Sequence, residues 1–88
     1  MKNINKYFRT TNFNLASFLF AKGQELVNID RLENQKRATF VFIENLQIEE
    51  LVHEFDFAQE NNEVVMVDAR KLIYATKQLK EKLYQNNY

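Results

Sequence analysis

The one histidine of the chain stands where it could contribute to a metal site. Glu50 and His53 are three residues apart, the spacing by which one helix presents a carboxylate and an imidazole to the same metal. A tight zinc site needs about four ligands, and the sequence has no second histidine and no cysteine. The nearby carboxylates could at most form a weak divalent-cation site. We therefore expect a solvated histidine on an acidic helix, and we predict no metal and no cofactor.

Other catalytic patterns are missing from the sequence. A catalytic nucleophile needs an adjacent base, whereas Ser17 is the only serine and no strained turn surrounds it. A phosphate-binding loop needs several glycines, and Gly23 is the only one. We predict that the protein is not an enzyme, and no small-molecule substrate is evident.

The charges are sorted into three blocks along the chain. Residues 1–43 carry seven Lys or Arg against three acids, residues 44–68 carry eight acids and no Lys or Arg, and residues 69–88 carry five bases against one acid. The net charge of zero therefore hides a +4, −8, +4 arrangement. If folding brings the blocks together, their opposite charges chiefly compensate one another within the protein. Otherwise the charges are available to a partner.

A candidate protein-interaction face lies in the acidic block. At helical spacing, four residues share one outward face: Leu46, Glu50, His53 and Phe57. An exposed aromatic within a charged rim is typical of an interface anchor. The alternative is that the helix ends near Phe55 and that Phe57 packs back into the core.

Two further groups could contact nucleic acid. One is a stripe on the last helix, and the other is a basic aromatic segment near the N-terminus: Arg70, Tyr74 and Lys77; Lys6, Tyr7 and Arg9. Phe40 and Phe42 would add stacking positions if they lay on an open sheet face, as in RNA-recognition domains. The alternative is that these two rings are core and that Arg70 and Lys71 pair with the acidic helix.

The predicted elements define an α+β fold with a small antiparallel sheet. A first helix is expected from about 13 to 22, with Thr11 or Asn12 as N-cap and Gly23 directly after it as the C-terminal cap. Two more are expected from 46 to about 58, after Asn45, and from 69 to about 84, after Asp68. The last helix is expected to bury an arc that includes Leu72, Ile73 and Leu79. Residues 25–32 and 37–44 read as a hairpin joined by the polar segment 33–36, and residues 64–67 read as a short strand.

A first strand at residues 6–10 would make the order βαββαβ plus a C-terminal helix, which is the ferredoxin-like order. The second hairpin strand is apolar on both faces, with Phe40 and Phe42 on one and Val41 on the other. We expect both faces to be covered. The third helix and a second copy of the protein are the candidates for the second face.

Length and composition indicate one domain over residues 1–88, with residues 1–5 as a loose N-terminal arm. Eight Phe and four Tyr give a small chain a large apolar area, for the core or for an interface. The sequence lacks an apolar run long enough for a membrane span or a signal peptide, and it lacks cysteine. We expect a cytoplasmic protein with no membrane partner.

A resemblance adds to these inferences. It rests on short segments spread over most of the chain: Tyr7-Phe8-Arg9-Thr10-Thr11, Leu15-Ala16, Leu19, Ala21-Lys22-Gly23, Phe40-Val41-Phe42, Val67-Asp68-Ala69-Arg70-Lys71-Leu72 and Leu79-Lys80. In these segments the chain resembles a family of short bacterial and phage proteins catalogued only as a domain of unknown function. The insert around Asn61 and Asn62 departs from the shorter connection expected there. The resemblance implies a phage or mobile-element setting and transfers no catalytic residue.

Three functions follow as expectations. The first is a small non-catalytic binding module that self-associates or docks on another protein. The alternative is a nucleic-acid-binding accessory protein. The third is a phage-encoded inhibitor that presents the acidic helix as a nucleic-acid mimic.

Overall fold

The computed structural model describes residues 6–31 and 37–85. Three strands, three α-helices and one 3-10 turn follow one another in this part of the chain: β1 (Tyr7–Thr10), α1 (Phe13–Ala21), β2 (Leu26–Asp30), β3 (Thr39–Ile43), α2 (Leu46–Phe57), the 3-10 turn (Glu63–Val65) and α3 (Ala69–Gln85). The predicted α+β class with a small antiparallel sheet is confirmed. The predicted arm at residues 1–5 and the polar connection at 33–36 lie outside the described residues.

The sheet has the order β1-β3-β2, with both pairings antiparallel. The predicted hairpin is therefore confirmed as β2 and β3, and β1 pairs along the other side of β3. Phe42 on β3 lies opposite Phe8 on one side and Leu26 on the other. This register places large apolar side chains of all three strands on one face.

The strand predicted at residues 64–67 is wrong. Asn62 accepts a hydrogen bond at its Oδ1 from the Val64 N–H at 2.8 Å, and its carbonyl accepts one from the Val65 N–H at 3.0 Å. Asn61 has a φ of 70°, a left-handed conformation that Asn tolerates better than most residues. These local bonds use the N–H groups that a strand would give to a ladder, so the βαββαβ order is not completed in the described residues.

The core lies between the sheet and the helices. Its members come from all three α-helices and from β2 and β3, and all are less than 10% exposed: Leu15, Phe18, Leu19, Ile29, Phe40, Phe42, Ile48, Leu51 and Leu79. Phe13 packs edge-on against Phe40 with 5.9 Å between ring centroids. This cluster accounts for the strong burial of β3 on its helical side.

Helix α3 is rotated relative to the predicted arc. Ala75 and Leu79 are buried against α1, with Leu72 and Leu83 half-buried on the same side. Ile73 is 66% exposed, so its prediction as a buried residue is wrong. The buried stripe is centred on Ala75 because a small residue there lets α3 approach α1 closely.

The second face of the sheet carries Val41, which is 4% exposed and stands opposite Arg9 and Asn28. The expectation that α3 covers this face is wrong, because α3 packs against α1 on the core side. The Arg9 guanidinium instead donates to Asp30 Oδ2 at 2.8 Å and joins the two outer strands across β3. The stem of an arginine can shield apolar surface in this way while its head stays in water.

Candidate interaction surfaces

One outward face of α2 carries four side chains that make up the α2 stripe: Leu46, Glu50, His53 and Phe57. All four are exposed, and Leu46 and Phe57 are 84% and 72% exposed. The helix runs through Phe57 and does not stop near Phe55, so Phe57 does not pack back into the core. Its ring instead lies against His53, with 5.0 Å between centroids.

The opposite face of α2 fixes this orientation. Asn45 caps the helix by accepting a hydrogen bond at Oδ1 from the Ile48 N–H at 2.8 Å. Ile48 and Leu51 are buried, and Phe55 packs on Phe18 with ring centroids 5.0 Å apart. Because this face is anchored in the core, the α2 stripe must point away from it.

No carboxylate of α2 has a basic partner in the part of the chain that the structure describes. Glu49, Glu50 and Asp56 are exposed, and no ion pair involves an α2 carboxylate within residues 6–31 and 37–85. Within the described residues the acidic and basic blocks meet in one exposed ion pair, between Asp68 and Arg70. No three His, Asp or Glu side chains of the described residues converge as metal ligands.

Helix α3 presents the second exposed face. Arg70, Tyr74 and Lys77 are all exposed, Tyr74 by 61%. Glu81 and Tyr84 continue the same spacing on the surface, and the five residues together are the α3 stripe. The stripe therefore combines aromatic rings with positive charge.

None of the helices in the described residues is both long and apolar enough to cross a membrane.

The N-terminus of α3 is capped by its own chain. Asp68 accepts hydrogen bonds at Oδ1 from the N–H groups of Arg70 and Lys71, at 2.8 and 3.3 Å. The Arg70 side chain lies 3.7 Å from the same oxygen and is 92% exposed. Such an exposed pair contributes little, and it replaces the expected pairing of Arg70 with the acidic helix.

A groove between α1 and α3 was not predicted. It encloses about 500 Å³ beside Phe20, Ala21 and Ala75, with Arg70, Lys71 and Tyr74 along its exposed side. We call it the α1–α3 groove. The two alanines on facing helices leave the space open, and sequence reasoning missed it because it needs the packing of two distant segments.

The N-terminal group lies on a different surface. Tyr7 and Arg9 alternate with Phe8, which packs into the core, so both point from the face of the sheet opposite the helices. Lys6 and Tyr7 are exposed, and the charge of Arg9 is paired with Asp30. The structure therefore does not join this group to Arg70, Tyr74 and Lys77.

The aromatic residues of β3 form no stacking surface. Phe40 and Phe42 are 2% and 0% exposed. An RNA-recognition type of sheet needs such rings in solvent. The alternative in which both are core residues is the one the structure shows.

The fold and its surfaces define a small α+β protein with a three-stranded antiparallel sheet and two exposed helix faces. The family model described as Domain of unknown function (DUF5659) matches residues 5–85, so the chain belongs to this family. Neither the curated proteins nor the solved structures give a match. The resemblance to a domain of unknown function is confirmed, and the bacterial or phage origin stays a prediction.

Proposed function

We propose that the protein is a small non-catalytic binding module that self-associates or docks on another protein through α2 and α3. The observation that carries this proposal is the location of the exposed apolar residues. Five large hydrophobic side chains that the core does not use lie on these two helices: Leu46, Phe57, Ile73, Tyr74 and Tyr84. Surfaces of this kind, with aromatic anchors among charges, are typical of protein interfaces.

Sedimentation at increasing concentration tests the self-associating form of the proposal. We expect the mass to rise above the 10.6 kDa of one chain, and Phe57→Ala to weaken the association. Tyr7→Ala is the matched control, since Tyr7 is an exposed aromatic on the far face of the sheet. A strict monomer at high concentration would count against self-association, and equal effects of both substitutions would count against the helix faces.

Nucleic-acid binding is the second candidate. Helix α3 carries five exposed bases, Arg70, Lys71, Lys77, Lys80 and Lys82, and none pairs with the acids of α2 among the described residues. Exposed cations beside Tyr74 could track phosphates. We expect filter retention of DNA or RNA at low salt that Lys77→Ala reduces. Absence of retention for single- and double-stranded forms of both would reject this candidate.

The acidic-mimic function rests on the exposed carboxylates of α2. Charge reversal at Glu49, Glu50 and Glu54 should abolish capture of a host nucleic-acid enzyme, and unchanged capture would reject this function. The phage or mobile-element setting is part of this proposal. A cytoplasmic location is proposed from the cysteine-free composition.

A further inference from the structure

A second cavity lies at the other end of the helix pair from the α1–α3 groove, where α1 begins and α3 ends. It encloses about 550 Å³, and Phe13, Phe40 and Leu83 give it an apolar lining. Arg31, which follows β2, and Arg37, which precedes β3, line the same cavity and are exposed. We call it the hairpin-end cavity. Neither arginine was predicted as a site residue, because only the fold brings the ends of the hairpin beside α1 and α3.

A row of three side chains on α3 connects the groove to this cavity. Tyr74 lines the groove, and the Lys80 Nζ lies 6.0 Å from the ring centroid of Phe13, which lines the cavity. Lys77 stands between them, because residues three apart on a helix are offset by about 60° around its axis. All three side chains of the row are exposed. The row therefore crosses the outward face of α3 obliquely, from one side of the helix to the other.

Positive charge follows the whole of this path. Six exposed bases stand along it, from the groove to the cavity: Arg70, Lys71, Lys77, Lys80, Arg31 and Arg37. Glu81 is the one acid in the sequence of α3, and Asp68 beside the groove already accepts two backbone N–H groups of its own helix. Helix α1 has no charged residue and packs against both α3 and the acidic α2. A linear array of cations of this kind attracts a polyanion.

The shape of the path and its aromatic ring favour one kind of polyanion. The path passes over a helix about 10 to 12 Å wide, and a DNA duplex, whose persistence length is about 50 nm, does not bend over so narrow a ridge. A single strand follows it without such a cost. Tyr74 offers a base a stacking surface beside the apolar groove, while Arg70 and Lys71 face the adjoining phosphate. An acidic peptide brings charge without flat rings joined to it at regular spacing, so it fits this array less well.

We propose that a single-stranded nucleic acid lies across α3, with a base stacked on Tyr74 and the backbone on Lys77 and Lys80. The phosphates that follow reach Arg31 and Arg37 at the hairpin-end cavity. The inference rests on the second candidate function, nucleic-acid binding, and names the form of the ligand and its path on the protein.

Fluorescence anisotropy of labelled oligothymidylate and oligouridylate over a range of salt concentrations tests this path. For a single strand, the slope of log K against log salt concentration is about −0.7 per phosphate contact, so six contacts predict a slope of about −4. Arg31→Gln and Arg37→Gln should each weaken binding and make the slope shallower by about 0.7. Lys6→Gln is the matched control, since Lys6 is an exposed base outside the path, and it should leave the slope unchanged.

Two further variants separate stacking from charge. Tyr74→Leu keeps an apolar side chain but removes the ring, so the affinity should fall about 5-fold or more while the salt slope stays the same. Glu81→Gln removes the exposed acid one turn beyond Lys77 and should tighten binding, a gain that impaired folding does not produce. Thermal melting of each variant checks that the fold is intact.

The outcomes separate this inference from the candidate function on which it rests. Tighter binding to a duplex than to a single strand, or equal effects of Arg31→Gln, Arg37→Gln and Lys6→Gln, would overturn the path and leave nucleic-acid binding intact. Displacement of the oligonucleotide by polyglutamate at equal charge would show that charge alone is recognised and would overturn both. Absence of binding to every nucleic acid would also overturn both, and the protein-binding function would stand.

Discussion

Two phenylalanines of one helix give a direct test of which face of α2 is core. Phe55 is half-buried and its ring lies 5.0 Å from that of Phe18, whereas Phe57 is 72% exposed. We expect Phe55→Ala to destabilise the fold and Phe57→Ala to leave it nearly unchanged. The same substitution two residues apart in the same helix makes each variant the control of the other.

The magnitudes follow from burial. Full burial of a Phe side chain is worth about 1.5 to 3 kcal/mol, so the buried quarter of Phe57 contributes about 0.4 to 0.8 kcal/mol. Alanine recovers about 0.5 kcal/mol through its higher helix propensity, which leaves a net change near zero. Truncating a core Phe costs about 3 to 5 kcal/mol, and for the half-buried Phe55 we expect about 2 to 3 kcal/mol.

Urea unfolding followed by circular dichroism measures both changes. The protein must be dilute, because self-association adds to the apparent stability of the folded state. This gain would be larger for the native chain and for Phe55→Ala, which keep the Phe57 ring, than for Phe57→Ala. In a melting experiment, the Phe55 variant should lose about 10 °C or more, because about 1 kcal/mol shifts the midpoint of a domain this size by about 4 to 8 °C. Equal losses for the two variants would show that Phe57 is a core residue, and the α2 stripe would lose its anchor.

Three further experiments test the fold that holds these surfaces. Ser17 is buried, and its hydroxyl has no hydrogen-bond partner in the described residues. Ser17→Ala should therefore raise the free energy of unfolding, measured in urea, by about 0.5 to 1 kcal/mol. A lower free energy of unfolding would mean that the hydroxyl does have a partner. Asn45→Ala removes the cap on the Ile48 N–H and should cost about 1 kcal/mol in the same assay, whereas no loss would mean that α2 begins without it. A double-mutant cycle on Arg9 and Asp30, which are 55% and 41% exposed, should give a coupling of about 0.2 to 1 kcal/mol that salt reduces; a larger, salt-independent value would contradict an exposed pair.

Local patterns predicted the elements whose signals are local. Helix α2 begins directly after Asn45, as expected, because a capping side chain and an apolar period of Ile48, Leu51 and Phe55 act within one segment. Gly23 has a φ of 91° and directly follows Lys22, the C-cap of α1, as its position in the sequence indicated. The same logic placed the α2 stripe and Arg70, Tyr74 and Lys77 on exposed surface, although their binding role stays a proposal.

Two kinds of feature were not predicted from the sequence: a local turn whose residues have strand-like composition, and the packing between distant segments. The apolar run at residues 64–67 has strand-like composition, but the Asn62 side chain and carbonyl bond to Val64 and Val65 and form a 3-10 turn. Ile73 was expected to be buried because the apolar arc of α3 is wide, and only the packing on α1 selects Ala75 over Ile73. The α1–α3 groove needs both helices in place.

Residue-specific chemical shifts over a dilution series test the central claim most directly. As concentration rises, we predict shifts in the amides of the α2 stripe, the α3 stripe and the groove residues, with Tyr7, Arg9 and Asn28 on the far face of the sheet unchanged. Shifts confined to the sheet face, or absent up to the highest concentration, would contradict self-association through the exposed faces of α2 and α3.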